Sequence, residues 1–157
     1  MGMENAGFAR LEQLFSKGGL KGKAGKIVSE ALAAGVDPKL LAAVIAHETG
    51  RGTSDAVLTR NNPGGIMDWE NKWETLRSFP TLDAGITYTA QNLRRRLGEA
   101  GGDMKALKAR YAPENAKNDP KGLNKHWLEG VNKFYNYLEP IETPEENASL
   151  GSSLTAK

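Results

Sequence analysis

The chain has no cysteine among its 157 residues, which excludes disulfide bonds, thiol nucleophiles and cysteine-ligated metal sites. It also lacks a long apolar run. The longest, Leu40 to Ala46, is far shorter than the roughly 20 residues of a membrane-spanning helix, so no membrane insertion is expected. Neither sign of charge is in large excess, because 21 basic residues nearly balance 19 acidic ones and leave a net charge of +2. So small a net charge gives little reason to expect a nucleic-acid partner.

The remaining composition is that of an ordinary globular protein, with 39% hydrophobic and 25% charged residues. The length fits one domain, which we place at residues 1–139 with its core from about residue 24. Residues 140–157 are polar and are expected to form a disordered tail. The N-terminus lacks a basic segment followed by an apolar one, so no signal peptide is expected.

Apolar residues recur every three to four positions along most of the chain, which predicts a mostly α-helical fold. One predicted helix begins at Asp37–Pro38, an N-cap acid followed by a proline, and stops near Gly50. It is almost entirely apolar, so we expect it to be the central buried helix. Five other helices are predicted. The first is centred on Leu11, and the second covers about residues 24–34 and stops at Gly35. The third runs from Thr81 to Gly101–Gly102, a short fourth begins at Asp103, and the last runs from Asp119–Pro120 to Pro140.

Helical periodicity is missing between Gly50 and Pro80. The letters RNNPGG form a cluster of turn residues, and IMDWENKWETLRSF reads as two short strands. We therefore expect a small β-hairpin lobe beside the helical domain, which makes the fold mostly α with an α+β arrangement.

Glu48 is the most informative residue. It follows Val44 by four positions and Leu41 by seven, so it projects from the apolar face of the central helix near its C-terminal end. Desolvation and the negative end of the helix dipole would both raise its pKa. A neutral carboxylic acid beside a cleft is what protonation of a glycosidic oxygen requires. The alternative is that Glu48 simply reaches solvent at a helix end.

A zinc site is not expected, although His47–Glu48 is reminiscent of the HExxH motif. That motif needs a second histidine where this chain has Arg51, and the other histidine, His126, is isolated. We interpret both histidines as ordinary polar residues and expect neither metal nor cofactor.

The segment AAVIAHETGRGTSDAVLTRNNPGGI resembles the glucosaminidase and lytic transglycosylase branch of the lysozyme-like superfamily. In that branch a helix ends in a catalytic glutamate, small residues follow, and a loop reads Asn-Asn-x-x-Gly-Ile. The hairpin, the helix that begins TLDAGI and the letters Tyr111-Ala112-Pro113 also look like that family. The resemblance covers about residues 36–137.

The resemblance implies a lysozyme-like enzyme that cuts β-1,4 bonds between N-acetylglucosamine and N-acetylmuramic acid in peptidoglycan. We expect the protein to be a monomer without a nucleic-acid partner. Glu48 would be its general acid, and Tyr111 would direct its hydroxyl at that acid or else pack in the core. The implied catalytic residues are Glu48, Glu74 and Tyr111, and the implied substrate contacts are Thr49, Ser54, Asn61, Asn62, Gly64, Gly65, Ile66 and Trp73.

The second carboxylate stays open at this point. Glycosidases of either stereochemistry need one, and the resemblance favours Glu74 or Glu70 on the hairpin over Asp68 and Asp55. Each of these acids could instead be a solvated surface residue. Lytic transglycosylases need only one glutamate because groups of the substrate assist.

Three tryptophans allow two interpretations. Trp69 and Trp73 could stack on sugar rings or pack the hairpin onto the helices, whereas Trp127 fits the apolar stripe of the last helix and is expected in the core.

Two rival functions remain. A wall-binding or scaffolding module could keep the fold without cleaving glycan. A nucleic-acid binder would rest only on the run Arg94–Arg96, which is more simply a solvated helix face, and on a pI of about 8.8. We expect the protein to act at the bacterial cell wall, reached by phage delivery or another route that this sequence does not encode.

Overall fold

A computed structural model describes residues 6–72, 74–102, 105–107 and 126–138. The mostly helical fold is confirmed. Within the described residues, no helix is long and apolar enough to cross a membrane. The helices are α1 (Ala6–Leu14), α2 (Ala24–Ala34), α3 (Pro38–Thr49), α4 (Asp55–Arg60), α5 (Leu82–Glu99) and α6 (Trp127–Leu138), with a 3-10 turn at Trp69–Asn71.

Helix α3 is the central helix, as predicted. The carboxylate of Asp37 accepts a hydrogen bond from the Lys39 backbone N–H at 2.9 Å, and Pro38 takes the first helical position. Gly50 ends the helix in a left-handed conformation with φ 56°. Every residue from Pro38 to Ala46 is buried, because α6 packs along one side of α3 and α2 packs along another.

Helix α5 packs against α2 and begins where it was predicted to begin. The hydroxyl of Thr81 accepts from the Ala84 backbone N–H at 3.0 Å, which caps the first turn. The Lys23 ammonium donates to the Asp83 carboxylate at 2.7 Å and ties the start of α5 to the start of α2. These local signals fix the position of α5 along the chain.

The region between Gly50 and Pro80 differs from the prediction. It contains a helix, α4, which the sequence reading missed because only Val57 among its six residues is buried. The predicted hairpin is not confirmed, since the described residues form no strand and only an isolated antiparallel bridge joins Met67 to Leu76. A 3-10 turn occupies the middle of the segment and limits the pairing.

The loop that follows α4, residues 61–66, lies tightly against α5 because two glycines allow it. A Cβ atom at Gly85 would collide with the Asn61 carbonyl oxygen and lie 2.8 Å from Pro63 Cδ. A Cβ atom at Gly64 would lie 2.5 Å from the hydroxyl of Thr89 on α5. Close packing on a rigid helix therefore sets the position of the loop.

Three predictions fall wholly or partly outside the described residues and stay predictions. They are the helix from Asp103, of which residues 105–107 are described, the start of the last helix at Asp119, and the tail at residues 140–157.

The two glycines inside α5 should respond to alanine in opposite ways. We expect Gly85→Ala to destabilise the protein by about 1–3 kcal/mol, because its methyl group meets backbone and a proline ring. Among the described residues, Gly98→Ala meets the Arg94 side chain alone, at 3.7 Å, and should stabilise by up to about 1 kcal/mol through helix propensity. Urea unfolding of both variants checks this, and equal shifts would contradict the packing described for Gly85.

Candidate active site

Glu48 lies at the penultimate position of α3 and meets the first residue of α6. The indole Nε1–H of Trp127 donates a hydrogen bond to Glu48 Oε2 at 2.8 Å. Trp127 is only 1% exposed, so its ring is locked in the core while its polar edge faces the carboxyl group. The packing of α3 on α6 therefore brings together residues that are 79 positions apart.

The environment of Glu48 favours the protonated acid. Burial raises the pKa of Glu48 to about 7, and the hydrogen bond from Trp127 opposes this rise because it stabilises the carboxylate. The C-terminal end of the α3 dipole acts in the same direction as burial. The residue nevertheless keeps part of its surface accessible. Glu48 thus combines a desolvated carboxyl group with a partly accessible residue surface, and near pH 7 both protonation states are populated.

The loop of residues 61–66 approaches the other carboxyl oxygen. Gly65 has a left-handed backbone with φ 65°, and a Cβ atom there would lie 2.7 Å from Glu48 Oε1. Any larger residue at position 65 would press on the acid. The two oxygens of Glu48 therefore have different neighbours, the Trp127 indole at Oε2 and the Gly65 backbone at Oε1.

The side chain of Asn62 holds this loop in shape through hydrogen bonds to backbone groups. Its side-chain Nδ2 donates to the carbonyl oxygens of Ile66 and Arg77, both at 2.8 Å. Its Oδ1 accepts from the backbone N–H groups of Gly64 at 3.3 Å and Ile66 at 3.0 Å. The hydrogen-bonding capacity of the amide is fully used, and the residue is buried. Its observed role is to hold the loop, and direct contact with substrate stays a prediction.

The predicted contacts that follow Glu48 also shape the backbone. Thr49 is buried, donates its hydroxyl to the Ile45 carbonyl at 2.6 Å and accepts from the Gly52 N–H at 2.8 Å. Ser54 is the N-cap residue of α4, and its buried hydroxyl oxygen has no hydrogen-bond partner within the described ranges. Asn61 ends α4 with φ 54° and donates to the Phe79 carbonyl at 3.0 Å.

Of the acids that were predicted on or just before the hairpin, Glu70 and Glu74 are exposed and Asp68 is half-buried. Glu74 is exposed, and its backbone N–H donates to the Asn71 carbonyl at 3.0 Å. Asp68 accepts from the backbone N–H of Glu70 at 3.0 Å and so caps the 3-10 turn. Across the part of the chain that the structure describes, no three histidine, aspartate or glutamate side chains form a metal-binding group. Tyr111 and Trp73 lie outside the described residues and stay predictions.

Trp127 was expected in the core and is buried there, but its contact with Glu48 was missed by the sequence reading. One signal was available, because a buried indole needs an acceptor for its N–H and a buried acid needs a donor. His47 packs edge-to-face on the same ring, with ring centroids 6.4 Å apart. Burial lowers the pKa of His47, so this neighbour is neutral at pH 7.

Gly65→Ala should impair the site beyond its cost in stability. Both Gly65, with φ 65°, and Gly101, with φ 63°, are left-handed, so alanine at either position should destabilise by about 1 kcal/mol. Among the described residues, a Cβ atom at Gly101 has no neighbour within 4 Å, whereas at Gly65 the new methyl group meets the Glu48 carboxyl group. If the activity is the glycan cleavage that the resemblance implies, it should fall at least tenfold in Gly65→Ala and persist in Gly101→Ala. Equal activities in the two variants, measured below their melting temperatures, would contradict this geometry.

Comparison with known proteins identifies a family for this chain. Residues 24–141, about three quarters of the chain, match the glucosaminidase family, described as mannosyl-glycoprotein endo-beta-N-acetylglucosaminidase. A search of curated proteins gives no match. The matched range contains α2 to α6, and so both Glu48 and Trp127. The chain belongs to the glucosaminidase family, a lysozyme-like family of glycosidases.

Proposed function

We propose that the protein is an endo-β-N-acetylglucosaminidase of peptidoglycan, with Glu48 as its general acid. It would cut the β-1,4 bond after N-acetylglucosamine and leave reducing N-acetylglucosamine ends. The observation that carries this proposal is the Glu48 carboxyl group, whose pKa of about 7 keeps a proton available at neutral pH. The family match supports the choice of bond. The site of action would be the bacterial cell wall.

The two oxygens of Glu48 would have separate tasks. Oε2 accepts from the Trp127 indole, so the transferable proton resides on Oε1, beside the Gly65 backbone. Transfer of this proton to the glycosidic oxygen breaks the C–O bond and leaves Glu48 as a carboxylate. The Trp127 N–H then stabilises the new charge at Oε2. Trp127 acts through Glu48 and is a positioning residue.

Glu74 is our candidate for the second carboxylate. It lies on the segment that returns to the loop of residues 61–66 through the hydrogen bond between the Arg77 N–H and the Ile66 carbonyl, 2.8 Å long. Its exposure suits a base that activates a water molecule from solvent. If the acetamido group of the substrate supplies the assistance instead, Glu74 is dispensable.

The Glu48 environment also weighs against a module that only binds cell walls. Holding an acid in a desolvated position costs stability, since each unit of pKa shift corresponds to about 1.4 kcal/mol. Glycan binding alone gives no reason for this cost. General-acid catalysis gives such a reason, because the acid must be neutral at its working pH.

Glu48→Gln should abolish clearing of a peptidoglycan suspension, with a loss on the order of 10²–10⁴-fold. Glutamine keeps the size of the side chain and can accept the Trp127 hydrogen bond, so the fold should persist. In the parent protein, activity should fall as the pH rises through about 7, because Glu48 then loses its proton. Turbidity assays across pH measure both effects, and mass spectrometry of the fragments identifies the new ends.

Glu70, a second exposed acid of the same segment, provides a matched control for Glu74. Glu74→Gln should lose activity, whereas Glu70→Gln, which changes an exposed acid four positions away, should keep it.

Full clearing by Glu48→Gln would refute the catalytic assignment. Anhydro-muramic ends would show a transglycosylase and reducing N-acetylmuramic acid ends a muramidase, and either would refute the proposed bond.

A further inference from the structure

An open depression of about 530 Å³ lies between the 3-10 turn and α5. One wall is Trp69 from the turn. The other wall is a polar stripe of α5 whose members recur at helical spacing and therefore share one face. The lining residues, which we call the Trp69 groove, are Trp69, Tyr88, Gln91, Asn92 and Arg95.

Trp69 is the unusual feature of this groove. Its side chain is 55% exposed, whereas Trp127 is 1% exposed. The expectation that Trp69 packs the hairpin onto the helices therefore accounts for less than half of its surface. A large aromatic face left in water gains free energy when a ligand covers it, and the flat apolar face of a pyranose ring suits such a surface.

The opposite wall is held in place before any ligand binds. Arg95 Nη2 donates to Asn92 Oδ1 at 2.6 Å, which orients the Asn92 amide and leaves its N–H₂ group as a donor. Tyr88 is backed by the Phe79 ring at 5.3 Å and by the Arg77 guanidinium at 4.8 Å. Such preorganisation reduces the entropy lost on binding.

The positive charge of Arg95 has no carboxylate partner among the described residues. Arg96, its neighbour, has the Glu99 carboxylate 3.8 Å away. Within residues 6–72, 74–102, 105–107 and 126–138, no carboxylate lies within ion-pair distance of Arg95. A guanidinium beside an aromatic face and two amides is suited to a glycan whose attached groups carry a carboxylate.

We infer that the Trp69 groove binds glycan away from the cleaved bond, with an N-acetyl sugar on Trp69 and a carboxylate of the attached acidic peptide at Arg95. The identity of the glycan rests on the proposed function. Gln91 and Asn92 donate to hydroxyl and acetamido oxygens between these two ends. Helix α5 joins the groove to the catalytic site, because Thr89 contacts Gly64 and the next residue, Gly65, contacts Glu48.

The test uses the full chain carrying Glu48→Gln, so that ligands are bound and not cut. Affinities are measured for two probes, a chitin oligosaccharide without carboxylates and a peptidoglycan fragment with its peptide. Trp69→Ala should weaken both about tenfold or more, and Trp69→Phe should recover part of the loss. Arg95→Ala should weaken only the fragment with the peptide.

Arg94→Ala is the matched control, since it removes the same charge from the next position. The Arg94 side chain is directed toward Gly35 and Gly98 and does not line the groove. If Arg94→Ala and Arg95→Ala weakened binding of the peptide-bearing fragment equally, net charge alone would explain the loss, and the inference would be overturned. Unchanged affinities in Trp69→Ala, or tighter binding of a single-stranded oligonucleotide than of either probe, would overturn it as well.

The inference and the proposed function fail in different ways. Cleavage by Glu48→Gln would refute the catalytic role of Glu48 while the affinities of the groove variants still report on the groove. Conversely, a Trp69→Ala variant with undiminished affinity refutes the groove and leaves the assignment of Glu48 intact.

Discussion

The hydrogen bond between the Trp127 indole and the Glu48 carboxyl group is the interaction on which the site depends. It joins the end of α3 to the start of α6 across the core. Burial and this bond act on the pKa of Glu48 in opposite directions, and burial dominates, so the pKa reaches about 7. A weaker desolvation would leave a permanent carboxylate. In the proposed mechanism, the indole N–H donates to the charge that proton transfer leaves on Glu48.

Close backbone packing is the second constraint on the site, because it fixes the position of the loop of residues 61–66. Gly85 lets the loop of residues 61–66 rest on α5, Gly64 lets it contact Thr89, and Gly65 brings it against Glu48. Asn62 secures the loop with four hydrogen bonds. The glycines and the asparagine therefore set the distance between helix α5 and the acid, and with it the space above the carboxyl group that a sugar could occupy.

Local signals in the sequence predicted much of this fold, and long-range contacts could not be predicted from it. Asp37 and Gly35 mark helix ends through their own backbone chemistry, and the structure has those ends where expected. The apolar face of α3 placed Glu48 in a desolvated position, which the raised pKa agrees with. Helix α4 was missed because a six-residue helix has too little periodicity. The partner of Trp127 was missed because periodicity places a residue inside without saying which atoms it meets.

The most direct test is a ¹³C NMR titration of the Glu48 side-chain carboxyl carbon in the intact protein and in Trp127→Phe. We expect a midpoint near pH 7 in the parent protein. The variant should titrate at a higher pH, because it loses the donor that stabilises the carboxylate while phenylalanine keeps the site apolar. A parent midpoint near the ordinary value of 4.5, or a lower midpoint in Trp127→Phe, would contradict a desolvated Glu48 whose carboxylate the indole stabilises.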